Sequence, residues 1–455
     1  MRNERHFSIL VLFAAITAAY VNSLGGPFQF DDYSVIVNNS SVHSFSAWLA
    51  DGGIRPVLKL SYMLNWVSGL GAVGFHLVNV GIHAANTFLV YRLCCLLASG
   101  RESAECRGGS NFLAVAVALA FALHPVQTEA VTYVSGRSTS LMAMFYLGSL
   151  VTYQKGRKTG SAVYVHLVSP MLFALALMTK EIAVTLPFAL LLLEMVMDRR
   201  DQPRLSMSAH QAGHWMLLLA ALIALALHSG YARLIEVSFE TRSGSENLAN
   251  QANAIIYLLR QLLWPVHLSI DPELPSGGLW TSRAVAKAAF LGALAAMGIV
   301  LARRRSVVGF AILWFFIHLA PTNSIVPRLD VVNDRQLYLA GLGFYLATAV
   351  GLQRLLASER QRRWAHLAAG AAALALIAMT AMRNRDYRSE VALWESAVQS
   401  APAKARPRHN LGCAYALAGR YEDAQRQLQT ALHLNPDYAL ARKNLAAIAT
   451  PVPSL

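Results

Sequence analysis

The chain has 455 residues, 55% of them hydrophobic and only 14% charged, whereas a soluble globular protein carries about 25% charge. Lysine and arginine outnumber aspartate and glutamate by 39 to 25, but the basic residues cluster between long apolar runs, which reads as membrane topology and not as a nucleic-acid face. Cys94 and Cys95 lie in an apolar run, Cys106 in a short polar loop and Cys413 alone near the C-terminus, too scattered for a disulfide framework, so no disulfide is expected.

Apolar runs of about 17 to 25 residues can cross a bilayer as helices, and eleven reasonable spans are predicted. In chain order they cover Phe7 to Leu24, Gly74 to Ala98, Asn111 to Leu123, Thr139 to Tyr153, Ser161 to Met178, Ile182 to Met197 and Ala212 to Ser229. Ala284 to Ala302, Ser306 to Ala320, Gln336 to Ala357 and Trp364 to Met382 complete the set. The first run follows Met1-Arg-Asn-Glu-Arg5, a positive flank that suits a signal peptide or an anchor with a cytoplasmic N-terminus. No small-x-small cleavage site follows, which favours the anchor. Alternate loops are then basic on the inside: Arg101 and Arg107, then Lys155, Arg157 and Lys158, then Arg199, Arg200 and Arg204. The stretch Ile255 to Pro265 is apolar but short, with Arg260 and Gln261 at its centre. Read as a re-entrant or interfacial helix, it leaves Arg303 to Arg305, Arg354, Arg360, Arg362 and Arg363 inside as well. The expectation is eleven crossings and an external C-terminus.

Beyond the last span the composition turns soluble. Leu411, Gly412, Tyr415, Ala424, Leu428, Ala431 and Pro436 match the small and large apolar positions of a tetratricopeptide repeat, with half a repeat on each side. About three such hairpins are normally needed for independent stability, so this segment must lean on the membrane domain. It is either a structural cap or a groove that presents a protein or peptide acceptor.

The unusual polar residues fall in the outward loops. The first loop carries Asp31 and Asp32, a pair able to supply a general base and a group that tunes it, or simply an N-cap with a solvated neighbour. The same loop holds Arg55. The next outward turn holds His124, Glu129 and, after Tyr133, Arg137, and the one after it Lys180 and Glu181. An ionisable group beside a bilayer is costly unless paired or wet, so these are functional candidates, with a salt bridge or a snorkelling lysine as the bland reading. The last loop ends on Arg335, a fork for phosphate oxygens, and Tyr338. Paired acids with Arg55, Lys180, Arg335 and Arg137 at one membrane face suit a lipid-linked phosphate whose tail enters the helices. A transporter more often places its ionisable groups on broken helices at mid-membrane.

Taken in order, the segments FDDY, RPVLKLSYMLN, FHLVNVGIHAAN, HPVQTEAV followed by GR, KE and DRQLYLA, with repeats behind them, resemble the transmembrane and tetratricopeptide repeat family of protein O-mannosyltransferases and its bacterial relatives. The likeness covers nearly the whole chain. That family looks like a branch of the C-type multispanning glycosyltransferases, which take a sugar from a polyprenyl phosphate outside the cytoplasm. The resemblance implies that one of Asp31 and Asp32 is the base on a Ser or Thr hydroxyl and that the other holds acceptor or base in place. It further implies inversion at the anomeric carbon, a donor phosphate held by Lys180, Arg335, Arg137 and Arg55, and supporting roles for His124, Glu129, Glu181 and Tyr338. No cofactor is required by that chemistry, although Asp31 and Asp32 could recruit a divalent cation. The expected partners are the lipid-linked donor, a protein or peptide acceptor and membrane lipid, with no nucleic acid.

The predicted fold is therefore all-α: a polytopic membrane bundle over residues 1–382, with a first external loop over 25–73, and an extracytoplasmic repeat segment over 383–455. The expected site is the bacterial cytoplasmic membrane with the active face in the periplasm. A membrane scaffold displaying its repeats, or a carrier of polyprenyl-linked sugars, are the competing readings.

Overall fold

The computed structural model describes residues 2–99, 109–197, 205–274, 280–328, 330–355 and 358–449. Arg101, Cys106, Arg107, Arg199, Arg200 and Arg204 lie outside these residues. Every regular element among the described residues is helical, as the all-α reading expects, and Cys94, Cys95 and Cys413 are free thiols.

The bundle begins with α1 (Arg2–Tyr20). The segment after it carries α2 (Phe45–Ala50), capped by the Ser44 hydroxyl, and α3 (Pro56–Val67), which starts at a proline because the first turn has no use for its missing N–H. α4 (Gly71–Ser99) and α5 (Gly109–Leu123) pack on α1 and on each other. After a break at His124-Pro125 come α6 (Thr128–Val131) and α7 (Arg137–Thr159), then α8 (Ser169–Leu177), α9 (Leu186–Val196), α10 (Leu205–Leu227) and α11 (Ser229–Thr241). α12 (Gly244–Leu263), α13 (Ser282–Arg303), α14 (Val307–Leu319), α15 (Leu337–Leu355) and α16 (Glu359–Asn384) complete the bundle. α16 returns to pack against α1 and α5.

Five described helices are long and apolar enough to cross a membrane: His6–Ser23, Gly71–Leu97, Ala209–Leu227, Ser282–Arg303 and Arg363–Tyr387. Asn111–Leu123 and Pro125–Val131, bent by 54°, make a sixth if they act as one span. They make the chain an integral membrane protein. The remaining predicted spans fall on helices that are short, open irregularly or carry buried polar residues, while α7 and α15 run unbroken for 23 and 19 residues. Tyr164–Leu177 and Val307–Leu319 are short, the run at Ile182 opens on a 3-10 turn before α9, and α7 buries Ser140, Ser149 and Gln154. The stretch Ile255 to Pro265 forms the end of α12 and the turn after it. α12 buries Asn247, Gln251 and Gln261 and is not among the helices apolar enough to cross.

Helix contacts within a bilayer rest on close packing more than on an aqueous hydrophobic drive, and Gly343 shows how close. A Cβ there would lie 2.2 Å from the Ala311 carbonyl oxygen, so α14 and α15 meet backbone to backbone. Trp314, fully buried beside this contact, donates its indole N–H to the Leu339 carbonyl at 2.7 Å.

Beyond α16 the chain forms α17 (Glu390–Ser400), the hairpin of α18 (Ala405–Leu417) and α19 (Tyr421–Leu434), and α20 (Ala439–Ala449). Leu411, Ala424, Leu428 and Ala431 are buried within it, as their spacing predicts. These helices rest on the external loops. The Phe30 and Trp394 rings meet edge to face at 5.0 Å, and Lys404 and Arg406 bind Asp271 and Asp330.

Candidate functional site

Phe30 holds a left-handed backbone, φ 46°, unusual for a bulky residue, immediately ahead of the two carboxylates. Asp32 is 1% exposed. Its Oδ2 accepts the Gln29 N–H at 3.0 Å and its Oδ1 the Ser135 N–H at 2.8 Å. Burial pushes its carboxyl up to about 7, against the downward pull of those donors. The turn that supplies Ser135 depends on Gly136, where a Cβ would lie 2.2 Å from the Glu129 carbonyl oxygen. Asp31 is half-buried; its backbone N–H donates to the Tyr133 hydroxyl at 3.0 Å. Burial raises its carboxyl too, while Arg335 pulls it down and Asp330 pushes it up. Asp31 therefore faces charged groups, and Asp32 fastens the loop to the α6–α7 turn.

Arg335 stands between two clusters. Its backbone N–H donates to Glu129 Oε2 at 3.0 Å and its Nε lies 3.4 Å from Glu129 Oε1. Across the site, Arg55 forks Nε and Nη2 onto the two Glu181 oxygens at 2.8 Å each, and the Tyr231 hydroxyl of α11 also donates to Glu181. Burial alone would raise the Glu181 carboxyl, yet the Arg55 fork and this hydroxyl hold it down at about 2. Lys180 donates to Thr139 Oγ1 at 2.6 Å and makes no salt bridge among the described residues. Its amine is held well below the ordinary range by burial, then by the fields of Arg335, Arg55 and Arg328. Burial and the same neighbours lower Arg328. Among the described residues Arg335 and Arg55 thus have carboxylate ion-pair partners, Glu129 and Glu181, whereas Lys180 and Arg328 have none at ion-pair distance and feel only the fields of Glu181 and, for Arg328, Asp330.

The predicted residues are not all brought together. Arg137 is turned inward: Nε donates to Asn79 Oδ1 at 2.6 Å, Nη1 to the Ser61 carbonyl at 3.1 Å and Nη2 to the Phe75 carbonyl at 2.9 Å. Its guanidinium lies over the Tyr62 and Phe75 rings, leaving no face for a phosphate, so it is a strut and not an anion ligand. His124 caps the turn after α5, accepting the Val126 N–H, with its other nitrogen 3.2 Å from the Leu262 carbonyl. Tyr338 is sealed in the bundle on His83 and Asn86. Neither reaches the site. A divalent cation shared by Asp31 and Asp32 is also disfavoured, because both Asp32 oxygens accept backbone N–H groups and Arg335 bears on Asp31. Among the described residues no three His, Cys, Asp or Glu side chains gather as a metal set.

Sequence reading passed over Arg328, Asp330, Tyr133, Tyr231 and Arg406. The signal for the first two lay in the same loop as Arg335, where Arg328 and Asp330 are the other charged residues ahead of Asp334. α12 racks this loop in place, with Asn247 donating to the Ser324 and Val326 carbonyls and Gln251 to that of Val331.

Over 96% of its length the chain is 24% identical to a protein O-mannosyl-transferase of Caenorhabditis elegans, and over 96% it is 25% identical to protein O-mannosyl-transferase TMTC3 of Mus musculus. It is TMTC-like. Protein O-mannosyl-transferase TMTC4 of Mus musculus is similar too, 26% identical over 86% of the TMTC-like chain. The chain spans 64%, 52% and 62% of these three relatives, so between half and two thirds of their length. No family profile and no solved structure matches it.

Proposed function

We propose that this chain is a membrane glycosyltransferase that moves a sugar, mannose by analogy with the relatives' names, from a polyprenyl-phosphate carrier to a Ser or Thr hydroxyl of an extracytoplasmic protein. The observation that carries this is Arg335, whose field falls both on one half-buried carboxylate, Asp31, and on Lys180, which lies also in the fields of Arg55 and Arg328. Asp31 takes the proton of the acceptor hydroxyl. The oxygen attacks the anomeric carbon from the face opposite the phosphate, the bond to phosphate breaks, and polyprenyl phosphate leaves with the electron pair and inversion at carbon. Lys180 and Arg328, without carboxylate partners, offset the charge growing on that phosphate, a preorganised contribution of about 3 kcal/mol for a good donor. Arg335 bridges base and phosphate, with Glu129 fixing its approach, and Asp32 positions Asp31.

The remaining parts of the reading are eleven crossings, counting the short and interrupted helices as spans, an external C-terminus whose helices form tetratricopeptide hairpins, and a bacterial cytoplasmic membrane with the site facing the periplasm. The test is radiolabel transfer from a panel of polyprenyl-phosphate sugars to envelope protein by the purified chain in lipid. Transfer by wild type, lost in Asp31→Asn with donor binding retained, is the expected result. A wild type that binds donor and transfers to no acceptor overturns it in favour of a carrier.

A further inference from the structure

A second cationic site lies at the opposite end of the same helices. A cavity of about 330 Å³ opens between α4 and α7, within the range of small-ligand sites. Arg92 and Leu96 line it from α4, one turn apart, and Val151, Lys155, Lys158 and Thr159 from α7. On α7, 18 residues separate Lys155 from Arg137, about 27 Å at the helical rise. That is close to the thickness of the hydrocarbon core, so the cavity sits at the other membrane interface from Asp31.

Among the described residues its lining is one-signed: three cations, the Tyr91 and Thr159 hydroxyls, the Cys95 thiol and apolar side chains, with no carboxylate. The neighbouring basic residue behaves differently. Arg157 is buried against Glu194 at 3.3 Å, while Lys155 and Lys158 stay exposed, Lys155 steadied by the Tyr164 hydroxyl at 2.9 Å and its ring. Arg92 lies seven residues inside the end of α4, about 10 Å from it, and makes no salt bridge among the described residues. A guanidinium at that depth is costly unless an anion or water meets it. Val151 and Leu96 supply an apolar wall beside the cations, which a free anion does not need and an acyl chain does.

We propose that this cavity binds the phosphodiester headgroup of an anionic phospholipid in the leaflet opposite the Asp31 site, its acyl chains lying against the outside of α4 and α7. The shared chemistry is a phosphate anion, and the lipid is distinguished from free phosphate by its need for the membrane.

The test uses the full chain in phosphatidylcholine nanodiscs, titrated with spin-labelled phosphatidylglycerol. Arg92→Gln, and independently the rim variant Lys158→Glu, which alters only an exposed side chain, are each expected to weaken the immobilised-lipid signal about fivefold. Arg303→Gln, which removes a cation of another basic cluster, is expected to leave it unchanged. Equal loss in Arg303→Gln, or no loss in Lys158→Glu while the protein melts normally, overturns the proposal in favour of general charge attraction. Displacement of the lipid by millimolar inorganic phosphate overturns it in favour of a free-anion site.

Discussion

Replacing Asp31 by asparagine removes the one carboxylate of the pair that is not tied to backbone N–H groups, and transfer is expected to fall by about 10²- to 10⁴-fold with donor binding intact. Asp32→Asn acts on the fold instead: an amide can accept one of the two N–H groups but turns its own NH2 toward the other. The expected loss is about 1 to 3 kcal/mol, read as a lowered Tm. Because burial raises Asp32 from 3.8 to about 7, its carboxyl contributes stability fully below pH 3.8, and that contribution is lost as pH rises through 7. Wild type should therefore gain on Asp32→Asn as pH falls across that window. The transfer rate should follow a bell. Its acid limb rises through an Asp31 pKa above 3.8, since the base must be deprotonated, and its alkaline limb falls through a Lys180 pKa below 10.5, since the cation must be protonated. Residue types were legible in the sequence here, but orientations were not. Asp31 and Asp32 read alike, although only Asp32 has both oxygens held by backbone N–H groups, and nothing in a string of letters distinguishes the inward Arg137 from the outward Arg335.

At the scale of elements, Arg137 staples the start of α7 to α3 and α4 through three donors. Arg137→Met keeps the packing over Tyr62 and Phe75 but leaves buried acceptors unpaired, so it should destabilise by about 3 kcal/mol, measured as a shift in Tm without a change in KM for donor. Arg406→Ala tests the docking of α17 to α20: with its links to Asp330 and Asp271 removed, the turn before α18 should become a protease site. The apolar periodicity of the sequence located most helices because that signal is repeated many times along each run. It did not show the 3-10 opening at Glu181 or the buried Gln154 in α7, each a local event inside an apolar average. α12 is the sharper case. Arg260 and Gln261 looked like an obstacle to crossing, but it is Asn247 and Gln251, earlier on the same helix, that form the rack for the 324–331 segment.

For the molecule as a whole, charge and hydropathy gave a two-sided plan in which Lys155 and Lys158 face one side and Asp31 the other, and the structure sets these residues at opposite ends of α7 and its neighbours. Single-cysteine variants at Lys158 and at Ser34, labelled from one side of sealed vesicles, should react with opposite sidedness; labelling from the same side would remove the plan. What no reading of spacing supplied is that the C-terminal helices form part of the site's wall, with Trp394 against Phe30 and Arg406 bearing on Asp31. This has a bearing on biogenesis. Asp31 is made 375 residues before Arg406, so the first loop meets its C-terminal neighbours only after the helices between them have been made. Until α17 and α18 have been made, the loop lacks Trp394 beside Phe30 and Asp31 lacks the field of Arg406.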